Sequence, residues 1–135
     1  MAVTWTKDLS VGISEIDNQH KELFVRLNSL YDAMKQRKGK AETAKVIKFL
    51  EDYVVSHFGA EEKYMDLYSY KSMGLHKAQH TGFIREFANI KKSLSSGEIS
   101  TTTVIQTQKQ ITEWLTNHIG KTDKAFGEFL STKLN

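Results

Sequence analysis

Midway along this chain an apolar helical stripe turns polar. Val46, Phe49, Leu50, Tyr53 and Val54 recur three and four residues apart, and His57, Phe58 and Glu61 continue the same face. After a short link, His76 and His80 repeat the four-residue spacing ahead of Phe83, Ile84, Phe87 and Ile90. Residues four apart on an α-helix lie one above the other. A solvated helix does not place an acid on its apolar face. Whatever fold this chain adopts must therefore take His57, Glu61, His76 and His80 inside and give their polar atoms a partner.

The rest of the chain carries the same helical period. It predicts a first helix over residues 15–37, with Ile16, Leu23, Phe24, Leu27, Leu30, Tyr31 and Met34 inward and His20 on the same stripe. Ser14 suits the N-cap, with Asp17 three residues on, and Gly39 suits the C-cap. Further helices are expected over 41–64, 72–94 and 101–119, with a short one over 122–132. Gly74 and Gly82 are weak points in the third. The fourth carries Ile105, Gln108, Ile111, Trp114, Leu115, His118 and Ile119, and the short one Phe126, Phe129 and Leu130. Residues 1–14, with Val3, Trp5, Leu9, Val11 and Ile13, read as an irregular arm laid across the body. Proline is absent, which suits uninterrupted helices. Four amphipathic helices with short links predict an all-α, up-down-up-down antiparallel four-helix bundle, one domain over 1–135.

Antiparallel neighbours put the start of one helix beside the end of the next. His20, His57, His76, His80 and His118, all five histidines of the chain, then fall in the same half of the bundle, within roughly 10 Å along its axis at 1.5 Å per residue. A lone histidine on an apolar face is usually a core residue. Five at one level beside a carboxylate leave too many buried polar atoms for packing to satisfy, and a metal supplies the partner. Asp123 stands five residues after His118, about 140° away around a straight helix. It joins the set only if the helix ends or distorts between them, for which Gly120 is the candidate point.

Imidazole-rich sites suit Zn, Cu, Ni and Fe, and zinc usually takes four ligands. Five histidines and two carboxylates exceed one ion and fit two, with the carboxylates bridging. An oxo or hydroxo bridge would offset more of the positive charge, which points towards iron.

The set His20, His57-x-x-x-Glu61, His76-x-x-x-His80 and His118-x-x-x-x-Asp123, with the flanking stretches GISEIDNQH and WLTNHIGKTD, resembles the hemerythrin family, in its bacterial single-domain branch. The resemblance runs from Trp5 to about Leu130. One member, myohemerythrin, is itself an up-down-up-down bundle. The resemblance implies a non-haem di-iron centre that binds O₂ reversibly. One iron would take His76, His80 and His118. The other would take His20 and His57 and keep an open position for O₂. Glu61 and Asp123 would bridge them beside an oxo or hydroxo group. Leu115 matches the family position over bound O₂, and Trp114, Ile119, Phe24 and Phe58 complete the expected pocket. Phe126 departs from the family pattern, since animal relatives carry tyrosine there. Backbone carbonyls are the default partners for the histidine N–H groups, with Asp17 and Gln79 as side-chain candidates.

Composition narrows the alternatives. With 135 residues, 39% hydrophobic and 26% charged, the chain can bury a real core. The formal charge of +3 is not gathered into a basic stripe, so no nucleic-acid role is expected. The absence of cysteine excludes disulfides, iron–sulfur clusters and thiol chemistry. Without an apolar leader or an 18-residue apolar window, a cytoplasmic, monomeric protein that spans no membrane is expected. An O₂ carrier or store feeding an oxygen-consuming enzyme, and not itself an enzyme, is the leading reading. A sensor acting through a partner in trans, and a di-iron peroxidase or nitric oxide reductase, are the alternatives.

Overall fold

The computed structural model describes residues 4–36, 40–95 and 101–134. After a 3₁₀ turn at Lys7–Leu9 come α1 (Ser14–Lys35), α2 (Lys40–Leu67), α3 (Met73–Ser95) and α4 (Thr101–Asn117). A π-helical turn, His118–Asp123, leads into α5 (Lys124–Leu134). No strand occurs among the described residues, and the fold is the expected all-α bundle.

Cross-helix hydrogen bonds give the register of each antiparallel pair. Tyr53 donates to the Gln19 carbonyl and Arg26 to the Phe49 carbonyl, fixing α2 against α1. Glu62 meets His80 and Glu51 meets Lys91, fixing α3 against α2. Gln79 meets His118 and Glu86 meets Gln110, fixing α4 against α3. Tyr31 closes the bundle by bonding the Gln108 carbonyl and Thr112 on α4.

The interior has three layers along the bundle axis. The main apolar layer is built from the four long helices, with Leu27, Leu30, Leu50, Phe83, Phe87 and Ile111 among its buried members. A smaller one joins Val11, Ile13, Ile16, Met65, Phe126 and Leu130. Between them lie the buried polar residues His20, His57, Glu61, His76, His80, His118 and Asp123. The sandwich follows from the helical period: His20 lies between Ile16 and Leu23, Glu61 between Phe58 and Met65, and Asp123 between Ile119 and Phe126.

Several local expectations need correction. Ile13, in extended conformation, is the N-cap of α1 and Ser14 its first helical residue. Asp17 does not cap the helix; it accepts hydrogen bonds from Ser10 Oγ (2.5 Å) and the Val11 N–H (2.8 Å), and so ties down the arm. Phe49 and Ile105, about 60% exposed, fall off the buried stripe, as does Ile84; on α2 the inward place next to Leu50 goes to Ile47. Val3 and the Gly39 cap lie outside the described residues.

α2 continues to Leu67 and ends in a Schellman turn. Ser69 takes φ 54, the Tyr70 N–H reaches the Met65 carbonyl (2.9 Å), and the Ser69 N–H reaches Asp66 (3.3 Å). Tyr70 and Met65 meet in the smaller apolar layer, the contact that usually accompanies this turn. At the other side of that layer the arm crosses α5 so closely that a Cβ at Gly127 would run into the Val11 carbonyl and side chain. Glycine is required there by space.

Candidate metal centre

Three of the four long helices deliver donors to the polar layer, and the turn that follows the fourth delivers the rest. α1 brings His20, α2 brings His57 and Glu61, and α3 brings His76 and His80, one helical turn apart. His118 and Asp123 bound the π turn after α4. A π turn is wider than an α turn, so it undoes the angular separation of residues five apart. The distortion expected near Gly120 is present, yet Gly120 has neither a positive φ nor a close neighbour that demands glycine.

The donors fall into two groups that share both carboxylates. Glu61, His76, His80, His118 and Asp123 form one; His20, His57, Glu61 and Asp123 form the other; within each, the donor atoms lie within 4.8 Å of one another. The oxygens divide between them. Glu61 Oε1 faces His80 Nε2 (3.1 Å) and His76 Nε2 (3.6 Å), while Oε2 faces His57 (3.7 Å) and His20 (3.9 Å). Asp123 Oδ1 faces His76 (2.9 Å) and His118 (3.0 Å), while Oδ2 faces His20 (3.1 Å). Each carboxylate thus offers one oxygen to each group.

These contacts are short but lie off hydrogen-bond directions. Both oxygens of Glu61 and of Asp123, and the Nε2 atoms of His20, His76, His80 and His118, are buried without a hydrogen-bond partner. So many orphaned polar atoms in a dry interior would cost several kcal/mol. Within each group these atoms lie within 4.8 Å of one another, close enough to share one ion.

Three imidazoles are oriented from outside the layer. His57 Nδ1 bonds Gln19 Oε1 (2.6 Å), His80 Nδ1 bonds Glu62 Oε2 (2.9 Å) and His118 Nδ1 bonds Gln79 Oε1 (2.7 Å), which also accepts from Thr122 (2.9 Å). A carboxylate or amide oxygen can only accept, so Nδ1 carries the proton and Nε2 keeps the inward lone pair. Gln79 is the side-chain partner that the sequence suggested. Asp17 is not one, because its carboxylate is engaged by the arm. Side chains, not backbone carbonyls, fill this role. Gln19 and Glu62 were missed, although a signal was there: Gln19, Glu62 and Gln79 each adjoin a donor, His20, Glu61 and His80. Each serves a histidine on the next helix.

Aromatic rings support the same imidazoles. Phe58 stacks on His80 (3.8 Å between centroids, 5° between planes), and Trp114 stacks on His118 (4.5 Å). Phe126 meets His76 edge to face at 5.7 Å. It offers no hydroxyl, and His76 Nδ1, like His20 Nδ1, is buried without a partner. Leu115, Phe24 and Ile119 are buried beside this layer and Trp114 is half-buried.

The electrostatics are those of groups held dry. Burial, helped by the neighbouring imidazoles, pushes His57 down to about 3 and His80 to about 2, so both stay neutral. Burial and the nearby Asp123 raise Glu61 to about 7. Burial also works against charge on His76, but Asp123 and Glu61 outweigh it and raise the imidazole to about 9. For Asp123 burial opposes ionisation, yet His118, His20 and His76 hold it well below the usual carboxylate range.

Comparison with known proteins agrees with this geometry. Residues 11–130 match the family model for the hemerythrin HHE cation-binding domain. The chain is 34% identical over 130 residues to the bacteriohemerythrin of Methylococcus capsulatus, covering 96% of this chain and 97% of that one. It is 36% identical over 124 residues to that of Pseudomonas aeruginosa, covering 92% and 78%. A crystal structure of wild-type hemerythrin superposes with a TM-score of 0.85 at 33% identity, covering 97% of this chain and 99% of that one. The chain belongs to the hemerythrin family.

Proposed function

We propose that this protein binds O₂ reversibly at a non-haem di-iron centre, for storage, transport or delivery to an oxygen-consuming enzyme. His76, His80 and His118 would hold one iron and His20 and His57 the other, with Glu61 and Asp123 bridging beside an oxo or hydroxo group. When bound, the iron pair supplies the electrons and the open position that O₂ uptake needs. The observation that carries the reading is the division of each carboxylate's two oxygens between a three-histidine and a two-histidine group.

The chain's own residues then do three things. Gln19, Glu62 and Gln79 hold imidazole lone pairs inward. Glu61 and Asp123 offset cation charge where water is excluded. Leu115, with Phe24, Phe58, Trp114 and Ile119, walls the site against solvent, which reversible binding needs. The donor set is rich in neutral imidazole and lacks a Glu-x-x-His motif, which favours binding over oxygen activation, so we assign no enzymatic role. Residues 1–135 are read as one such domain, monomeric and cytoplasmic, with no nucleic-acid partner. Among the described residues no helix is long and apolar enough to cross a membrane.

The test is metal analysis and the visible spectrum of iron-loaded protein with and without O₂. Two irons per chain and a charge-transfer band that appears with O₂ and vanishes under vacuum are expected. One metal per chain, or zinc after iron-replete expression, would overturn the reading. Rapid oxidation with turnover of peroxide or nitric oxide would replace the carrier with an enzyme.

A further inference from the structure

Glu61 and Glu62 are neighbours on α2, so their side chains leave the helix about 100° apart. Glu61 enters the polar layer. Glu62 turns to α3 and accepts the His80 Nδ1 proton at 2.9 Å. Among the three orienting residues it is the one carboxylate; His57 and His118 have the amides of Gln19 and Gln79. His20 and His76 have no partner on Nδ1. An anionic partner therefore stands behind the three-histidine group alone, and the two-histidine group is backed by a neutral amide.

The difference has a chemical consequence. A hydrogen bond to an ionised acceptor is roughly twice as strong as one between neutral groups. It draws the Nδ1 proton away and makes Nε2 a stronger donor. The Glu62 side chain is 27% exposed and His80 1%, so water screens this bond only in part. The flat stack of Phe58 on His80 covers the ring face and keeps the imidazole in the plane that Glu62 selects.

We propose that Glu62 is a positioning residue that, through His80, biases the metal held by the three-histidine group towards its oxidised state. The two metal positions then differ in donor strength as well as in the number of histidines. The inference rests on the di-iron reading above.

The test uses full-length, iron-loaded protein and reads the metal count and the reduction midpoint of the centre without O₂. E62Q keeps the shape and an acceptor oxygen but removes the charge. It should retain two irons per chain and move the midpoint positive by the equivalent of about tenfold, which is 59 mV for a one-electron couple. Q79E, which puts a carboxylate behind His118 of the same group, should move the midpoint negative. Two irons with an unmoved midpoint in both variants would mean that Glu62 only holds the ring, and the proposal falls. If E62Q does not fold, the sign of the Q79E shift decides: a negative shift supports the proposal and no shift overturns it. Failure of the unmutated protein to take up two irons overturns the di-iron reading and this inference with it, and the metal count shows this before any potential is measured.

Discussion

The two apolar layers that enclose the donors are made in different ways. The main layer comes from the apolar stripes of four long helices. The smaller one is assembled from an irregular arm, two helix ends and α5. Individual contacts hold it: Asp17 fastened to Ser10 and Val11, the arm pressed on Gly127, and Ser69 in the left-handed region at the end of α2. The polar layer lies buried between the two. The main layer holds the larger number of buried side chains, and the smaller one closes off the polar layer at its end of the bundle.

Truncation in each layer tests this contrast most directly. Leu50→Ala should destabilise by about 2–5 kcal/mol and Phe126→Ala by about 3–5 kcal/mol, since both side chains are fully buried. Only Phe126→Ala, whose ring touches His76, should also speed iron loss to a chelator. Denaturant melts and stripping rates check this, and equal stripping would dissolve the distinction between the layers.

Acid probes the middle layer in metal-free protein. His57 sits at about 3 and His80 at about 2, against 6.5 in the unfolded chain. Lowered histidine values give stability that is full above 6.5 and lost as pH falls. Glu61, at about 7 against 4.5, acts oppositely, stabilising as pH falls below 7. His76, at about 9, contributes fully below 6.5 and is lost as pH rises through 9. For these four groups, unfolding takes up one net proton between pH 6.5 and 4.5, three in the unfolded chain against two in the fold. It takes up two between 4.5 and 3, four against two. Above 6.5 unfolding releases protons. Stability should therefore peak near pH 6.5 and fall on the acid side by roughly 1.4 kcal/mol per pH unit per proton. Thermal melts of chelated protein across this range check it; a flat profile would show the donors to be hydrated without metal.

Smaller effects separate the two constructions further. Gly127→Ala should cost about 1–3 kcal/mol by lifting the arm. Gly82→Ala on α3, where a Cβ meets open space, should gain about 0.5–1 kcal/mol. Opposite signs are expected from one chemical change, and melting temperatures read them. Ser69→Gly should gain up to about 1 kcal/mol by relieving the left-handed residue. A loss would mean that the serine side chain supports the turn.

The helices were legible because their signal is periodic, and a period of 3.6 is written in one segment at a time. Where the signal was only partial the reading slipped: Phe49, Ile84 and Ile105 follow the apolar spacing but sit at the edge of the stripe, where neighbouring helices do not cover them. Asp123 was the donor that spacing alone could not place, because its approach depends on a π turn. The arm was legible as an irregular segment laid across the body, but its fastening to Asp17 and its seat on Gly127 depend on residues of other segments.

By itself, then, the sequence determined the bundle and which faces carry His57 with Glu61 and His76 with His80, since residues four apart on one helix share a face wherever that helix goes. Only the tertiary structure decided which oxygen of Glu61 and Asp123 serves which group, and that Gln19, Glu62 and Gln79 reach across to His57, His80 and His118. Those choices depend on how far each helix is rotated and shifted against its neighbour. That rotation is set by the packing of all the layers at once, and no single segment encodes it.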